Sequence, residues 1–98
     1  MADAIHKLLI FDVAREKLGR RGIYGEEAEQ LLDNRHVVLR NPHRASRRAD
    51  ARRLMVGLTD GGRYLTLVIE RTLDPTDWLI VTGWDSVIRE RKILWRWL

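Results

Sequence analysis

The chain has 98 residues, carries a net charge of +4 at pH 7 and contains no cysteine. That length supports one domain with a single, marginal core, and the missing thiols exclude a disulfide scaffold and thiolate metal sites. An acid at Asp3, where a signal peptide wants basic charge, and an apolar run of only Leu8 to Phe11 argue against secretion or a membrane span, so the expected setting is cytoplasmic.

In chain order, Lys7 to Phe11 reads as a short strand. Phe11, Ala14 and Leu18 follow at helical spacing, with Arg15, Glu16 and Lys17 on the other side, and Gly19 and Gly22 break the helix. A second helix opens with Glu26 and Glu27 in its first turn, where the helix dipole favours acids, and presents Ala28, Leu31 and Leu32 as its buried stripe. Asp33-Asn34 ends it. His36 to Leu39 is a strand that Asn41-Pro42 closes, because proline lacks the ladder donor and restricts the residue before it. Pro42 to Arg53 is the most polar segment and carries Arg44, Arg47, Arg48, Arg52 and Arg53, opposed only by Asp50. It is expected to be a basic loop.

Leu54 to Thr59 and Arg63 to Arg71 are two strands joined by Asp60-Gly61-Gly62, whose glycines accept the positive φ of a tight hairpin. Asp74-Pro75-Thr76-Asp77 is a further turn with proline at its second position. Trp78 to Trp84 is the last strand. Asp85 or Ser86 can cap a final helix, with Val87, Leu94 and Leu98 along one stripe, Ile88 and Trp95 beside it, and Arg91 in its middle. Strict alternation places Leu65, Leu67 and Ile69 on one face with Leu79, Val81 and Gly83, under the helices, together with Phe11, Leu18, Leu31 and Val87. The other face carries Tyr64, Thr66, Val68 and Glu70, with Trp78, Ile80, Thr82 and Trp84, and is expected to be open or to bind a ligand. The whole reads as an α+β fold, a single domain over 1–98. Two N-terminal helices and a C-terminal helix pack on an antiparallel sheet of four to five strands.

The chemistry available is basic and aromatic. There are fifteen Arg and three Lys. Guanidinium forms bidentate bonds to phosphate, although a codon bias toward arginine explains the ratio as well. His6, His36 and His43 lack ligand spacing, no P-loop or nucleophile elbow is present, and no metal site or cofactor is expected. Cleavage of RNA without a metal needs a proton acceptor for the ribose 2′-hydroxyl, a proton donor for the leaving oxygen and cations around the phosphorane. Arg52, Arg63, Tyr64, Glu70 and Arg91 are expected to meet on or near the open face. The hairpin register sets Arg52 opposite Glu70, which is also the geometry of a plain cross-strand ion pair.

The order of these residues resembles the BrnT family of bacterial toxins, of the RelE-like ribonuclease fold. The similarity runs from Phe11 to Leu94. Lys17-Leu18-Gly19-Arg20-Arg21-Gly22-Ile23 before Glu26-Glu27-Ala28 is similar to the family's K-H-G-V segment and E-E-A helix. Arg52, Gly57-Leu58-Thr59 and Asp60-Gly61-Gly62-Arg63-Tyr64-Leu65 are similar to its R…G-x-T-D-x-G-R-x-L hairpin. Val81-Thr82-Gly83 stands at its I-S-A and Glu90-Arg91 at its E-R. Three positions depart from the pattern: Arg21 stands for a His, Trp84 for an Arg and Leu94 for a Tyr.

The resemblance implies the toxin of a type II toxin–antitoxin system, a metal-independent endoribonuclease that inhibits growth. Its partners would be RNA and a cognate antitoxin protein, in a homo- or hetero-oligomer. Arg52, Arg63 and Arg91 would neutralise phosphate, and Glu70, Lys17 or Tyr64 would move protons. By the charge of their own loop, Arg44, Arg47 and Arg48 would hold nucleic acid, and Trp84 would either stack on a base or pack as a sheet-edge aromatic on a helix or a partner. The departures remove a His, a cation and a Tyr together. The alternative is therefore a non-catalytic, diverged homologue that binds protein or nucleic acid; a purely structural subunit is a third reading.

Overall fold

The structure, a computed structural model, describes residues 4–40 and 51–96. The elements are β1 (Lys7–Leu9), α1 (Asp12–Gly19), α2 (Gly25–Gln30), β2 (His36–Arg40), β3 (Arg52–Leu58), β4 (Tyr64–Arg71), β5 (Asp77–Asp85) and α3 (Ile88–Arg96). This is the α+β class expected, with three helices on one five-stranded sheet ordered β1-β5-β4-β3-β2.

Strands β2 to β5 form antiparallel ladders, but the sheet is mixed, because β1 pairs with β5 in parallel. An antiparallel β1 would have to reverse at its end. Instead Leu9 leads within three residues into α1, whose start lies by Leu79, Ile80 and Val81 and whose Leu18 lies by Gly83, so the chain continues in the direction of β5. The β3–β4 hairpin turns where the glycines predict, with Gly62 at φ 85°, and Thr59 accepting at its side-chain oxygen from the Arg63 N–H. In the next turn the Asp74 carboxylate accepts from both the Thr76 N–H and its hydroxyl. The backbone bond leads in holding the Asp74 carboxyl below the usual carboxylate range.

One residue changes the face assignment of β5. Val68 pairs with Thr82 but Ile69 pairs with Ile80, so Val81 is an extra residue. A strand has period two, and one inserted residue sends everything beyond it to the opposite face. Trp78 and Ile80, not Leu79 and Val81, therefore share the helix-covered face with Leu65, Leu67 and Ile69. Trp78 is 1% exposed and Ile80 is fully buried. Burying an indole and an isoleucine outweighs burying a leucine and a valine, each large side chain being worth about 1.5–3 kcal/mol.

That face packs with Leu8, Leu18, Ile23, Ala28, Leu31 and Met55 into the core. Gly83 lets α1 approach: a Cβ there would lie 2.7 Å from Leu67 and 3.1 Å from Leu18.

The C-terminal helix lies on the other face. Its first turn bonds to Thr66, and Trp95 donates to the Tyr64 hydroxyl at 2.8 Å; both partners belong to the face opposite Leu65 and Leu67. Leu94 is buried there, whereas Val87 is half exposed and does not join the Leu18–Leu31 layer. The sheet is thus sandwiched between α1 with α2 on one side and α3 on the other. The short link from Asp85 to α3 cannot carry the chain round the sheet edge, and Glu90 fixes the choice. Its carboxylate accepts from the Thr66 hydroxyl, the Val87 N–H and the Trp84 indole. Phe11 also leaves the expected core: it is the N-cap of α1 and 62% exposed.

Candidate functional site

Arg52 opens β3 and Glu70 nears the end of β4, directly across the ladder. The Arg52 Nε donates to the Glu70 carboxylate at 3.0 Å, with both side chains mostly shielded. As a cross-strand pair this contact contributes about 0.2–1 kcal/mol. The two also line a pocket of about 220 Å³ with Phe11, Val13, Ala14 and Lys17 of the α1 region and Leu79, Ile80 and Val81 of β5. The Val81 bulge makes this possible, because it turns Leu79 to the face that bears Glu70. Lys17, Arg52 and Glu70 are thereby brought to one place. Two cations and one carboxylate leave the pocket a net positive charge beside an apolar surface, which suits a phosphate ester.

The remaining expected residues lie elsewhere. Tyr64 and Glu70 stand at opposite ends of β4, about 20 Å apart at 3.3 Å per residue. Arg63 belongs with the side covered by α1 and α2. It donates to both Asp85 oxygens, at 2.7 and 3.1 Å, to the Gly22 carbonyl at 2.9 Å and to Glu27 at 3.2 Å. The hydrogen bond to Asp85 holds the guanidinium above its ordinary value, and the same bond holds the Asp85 carboxyl below the usual carboxylate range. Arg63 therefore clamps the hairpin to α2 and to the end of β5.

Arg91 sits near the N-terminal end of α3. Its Nε donates to the Ser86 carbonyl and its guanidinium carbon lies 4.9 Å from the Tyr64 ring centroid. Tyr64 meets Trp95 edge-on, and Arg35 stacks on Trp95 at 4.6 Å. Trp84 gives its indole N–H to Glu90. These residues form a second, aromatic cluster under and beside α3. Arg52, Arg63 and Arg91 do not converge on one point. Arg44, Arg47 and Arg48 lie outside the described residues.

Three features are not evident from pattern alone. Arg21, standing where the resembling family has a His, reaches across the sheet edge to the Gly83 carbonyl and lies 3.4 Å from the Thr82 hydroxyl. Phe11 and Val13 line the Arg52 pocket, although periodicity assigned Phe11 to the core. His6 and His36, thirty residues apart, share an open hollow of about 390 Å³ with Asp33. The exposed acid beside them gives that hollow no preference for an anion. Among the described residues no three His, Asp or Glu side chains gather as a metal-ligand set. No helix among them is long and apolar enough to cross a membrane. No protein-family model matches this chain, and no curated protein matches it.

Proposed function

We propose that this chain is the toxin of a type II toxin–antitoxin pair, a metal-independent endoribonuclease that inhibits growth, with its reaction centre in the Arg52 pocket. The observation that carries the reading is the meeting of Lys17, Arg52 and Glu70, from α1, β3 and β4, at one partly enclosed, positively charged pocket. These three supply the parts that the reaction needs. Glu70 accepts the proton of the ribose 2′-hydroxyl. The 2′-oxygen attacks phosphorus and the bond to the 5′-oxygen breaks, leaving a 2′,3′-cyclic phosphate. Lys17 donates a proton to the departing 5′-oxygen, and Arg52 holds the charge that builds on the phosphoryl oxygens. Arg63 in this reading supports the hairpin from the far side and touches no substrate.

A second reading, a non-catalytic binding module of the same shape, is favoured by one observation. Arg52 and Glu70 already bind each other in an ion pair that a substrate would have to compete with. Cleavage of RNA by purified protein, with and without chelator, separates the two. Arg52→Ala and Glu70→Gln should each lower the rate about 10²-fold or more, as loss of a preorganised group does. Cleavage should survive excess chelator, and expression should arrest growth until a cognate antitoxin is supplied. Wild type that leaves RNA intact would sink the enzyme reading and leave the binding module; chelator-sensitive cleavage would sink the metal-free mechanism.

A further inference from the structure

Phe11 occupies a position that neither helix stability nor core packing explains. It is the N-cap of α1, with φ −98° and ψ 168°, and no side-chain bond is made to the free N–H groups of the first turn. Ser, Thr, Asp or Asn at an N-cap each satisfy such a donor, and an apolar residue forgoes about 0.5–2 kcal/mol of that stabilisation. Nor is the ring buried, since 62% of the residue is exposed, and Val13 beside it is 68% exposed. What the two side chains do share is the pocket, where they adjoin Lys17 and Arg52. An aromatic ring on the accessible rim of a cationic pocket is the arrangement that receives a flat, weakly polar group attached to an anion.

Size narrows the class of that group. At about 220 Å³ the pocket falls below the roughly 300–1,000 Å³ of sites for drug-sized ligands, so it takes one base and the phosphate beside it, with the sugar that joins them at the open mouth. Phe11 and Val13 lie at the start of α1, Lys17 follows one turn after Val13 on the same helix, and Arg52 and Glu70 stand on β3 and β4, so the apolar pair has one cation on its own helix and the ion pair across from it on the sheet. A nucleobase on the apolar pair leaves its phosphate within reach of Lys17 and Arg52.

We infer that this pocket is a nucleobase subsite: one base of the RNA packs on Phe11 and Val13 while the adjoining phosphate is held by Lys17 and Arg52. The inference rests on the Arg52 pocket being where RNA is engaged, and it adds the residues that hold the base. The subsite tells a nucleotide from a bare sugar phosphate, and because stacking uses a face that every base presents, it accepts all four bases.

The test is a calorimetric or NMR titration of the whole protein with adenosine 5′-monophosphate and, separately, ribose 5-phosphate. The nucleotide should bind about five- to 150-fold more tightly, the ratio that one base–aromatic stack supplies. Phe11→Ser should abolish that ratio while leaving the thermal midpoint unchanged or raised, since serine is the better N-cap. Phe11→Trp should keep the ratio. Equal affinity for the two ligands, no binding of either, or a ratio indifferent to Phe11→Ser would overturn the subsite. RNA cleavage by wild type with no such ratio would overturn the subsite and leave the reaction standing. A Phe11-dependent ratio without cleavage would do the reverse.

Discussion

Arg63 shows how one side chain's role follows from its neighbours and not from its chemistry alone. The same guanidinium that resembles a phosphate ligand in sequence has its donors turned to Asp85, Glu27 and the Gly22 carbonyl. The consequence for stability is measurable at Asp85, whose carboxyl is held down first by the bond from Arg63 and then by the charges of Arg63 and Arg91, against a partial burial that opposes them. The folded-state value lies below the roughly 3.9 of an unfolded aspartate. The ionised pair therefore adds stability above about pH 4, and that contribution is lost as pH falls through the lowered folded-state value. Asp85→Asn should be less stable than wild type at neutral pH, and the gap should close in acid. Urea unfolding at a series of pH values reads this directly. Asp74 titrates in the same range in both proteins and cancels. A gap that stays constant into strong acid would show that Asp85 contributes through packing and not through charge.

At the scale of elements, β5 is the decisive strand. Its bulge exchanges the two residue sets between faces, putting Trp78 and Ile80 into the core and bringing Leu79 to the Arg52 pocket. Strict alternation gives the opposite assignment, so a pair of substitutions distinguishes them. Trp78→Ala should cost about 3–5 kcal/mol, the range for a buried aromatic. Leu79→Ala, on the partly exposed pocket side, should cost well under half as much. Denaturant titrations of the two variants against Leu67→Ala, a fully buried reference in the adjacent strand, give the comparison. Near-equal losses for Trp78 and Leu79 would place the bulge elsewhere. The same strand bears Gly83, whose missing Cβ lets Leu18 of α1 sit close to Leu67, so the helix that supplies Lys17 is positioned by a glycine on β5.

For the whole molecule, basic residues occur on both faces and in the segment of Arg44, Arg47 and Arg48. Nucleic acid bound to such a surface releases counterions, and affinity falls with salt by a slope of about 0.7 per phosphate contact for a single strand. Replacing Arg44, Arg47 and Arg48 together by alanine should weaken RNA binding and flatten that slope by about 0.7 for each contact removed. Filter binding or fluorescence anisotropy over a range of salt concentrations checks both quantities. Unchanged affinity with an unchanged slope would restrict RNA contact to the Arg52 pocket and the surface around it. The Arg52 pocket contributes to the same slope through Lys17 and Arg52, so combining Arg52→Ala with the triple variant should flatten it further.

What the amino-acid order determined by itself was local. Asp60-Gly61-Gly62 prescribes a tight hairpin, the hairpin prescribes the register, and the register places Arg52 opposite Glu70 as expected. The end of α1 at Gly19 follows equally from nearby residues, whereas α2 stops at Gln30, before the expected Asp33-Asn34. The tertiary structure decided the rest, because it depends on competition between distant groups. Whether Trp78 or Leu79 is buried depends on what α1 and α2 cover, and the strand absorbs the answer as one extra residue. Whether α3 joins the other helices depends on Glu90 finding Thr66 and Trp84 on the opposite face. The parallel pairing of β1 and the internal bonds of Arg63 likewise join segments far apart in the chain. Side-chain type announces which groups are capable of chemistry; only the packing of strands and helices determines that Lys17, Arg52 and Glu70 stand together and that Arg63 and Arg91 stand apart.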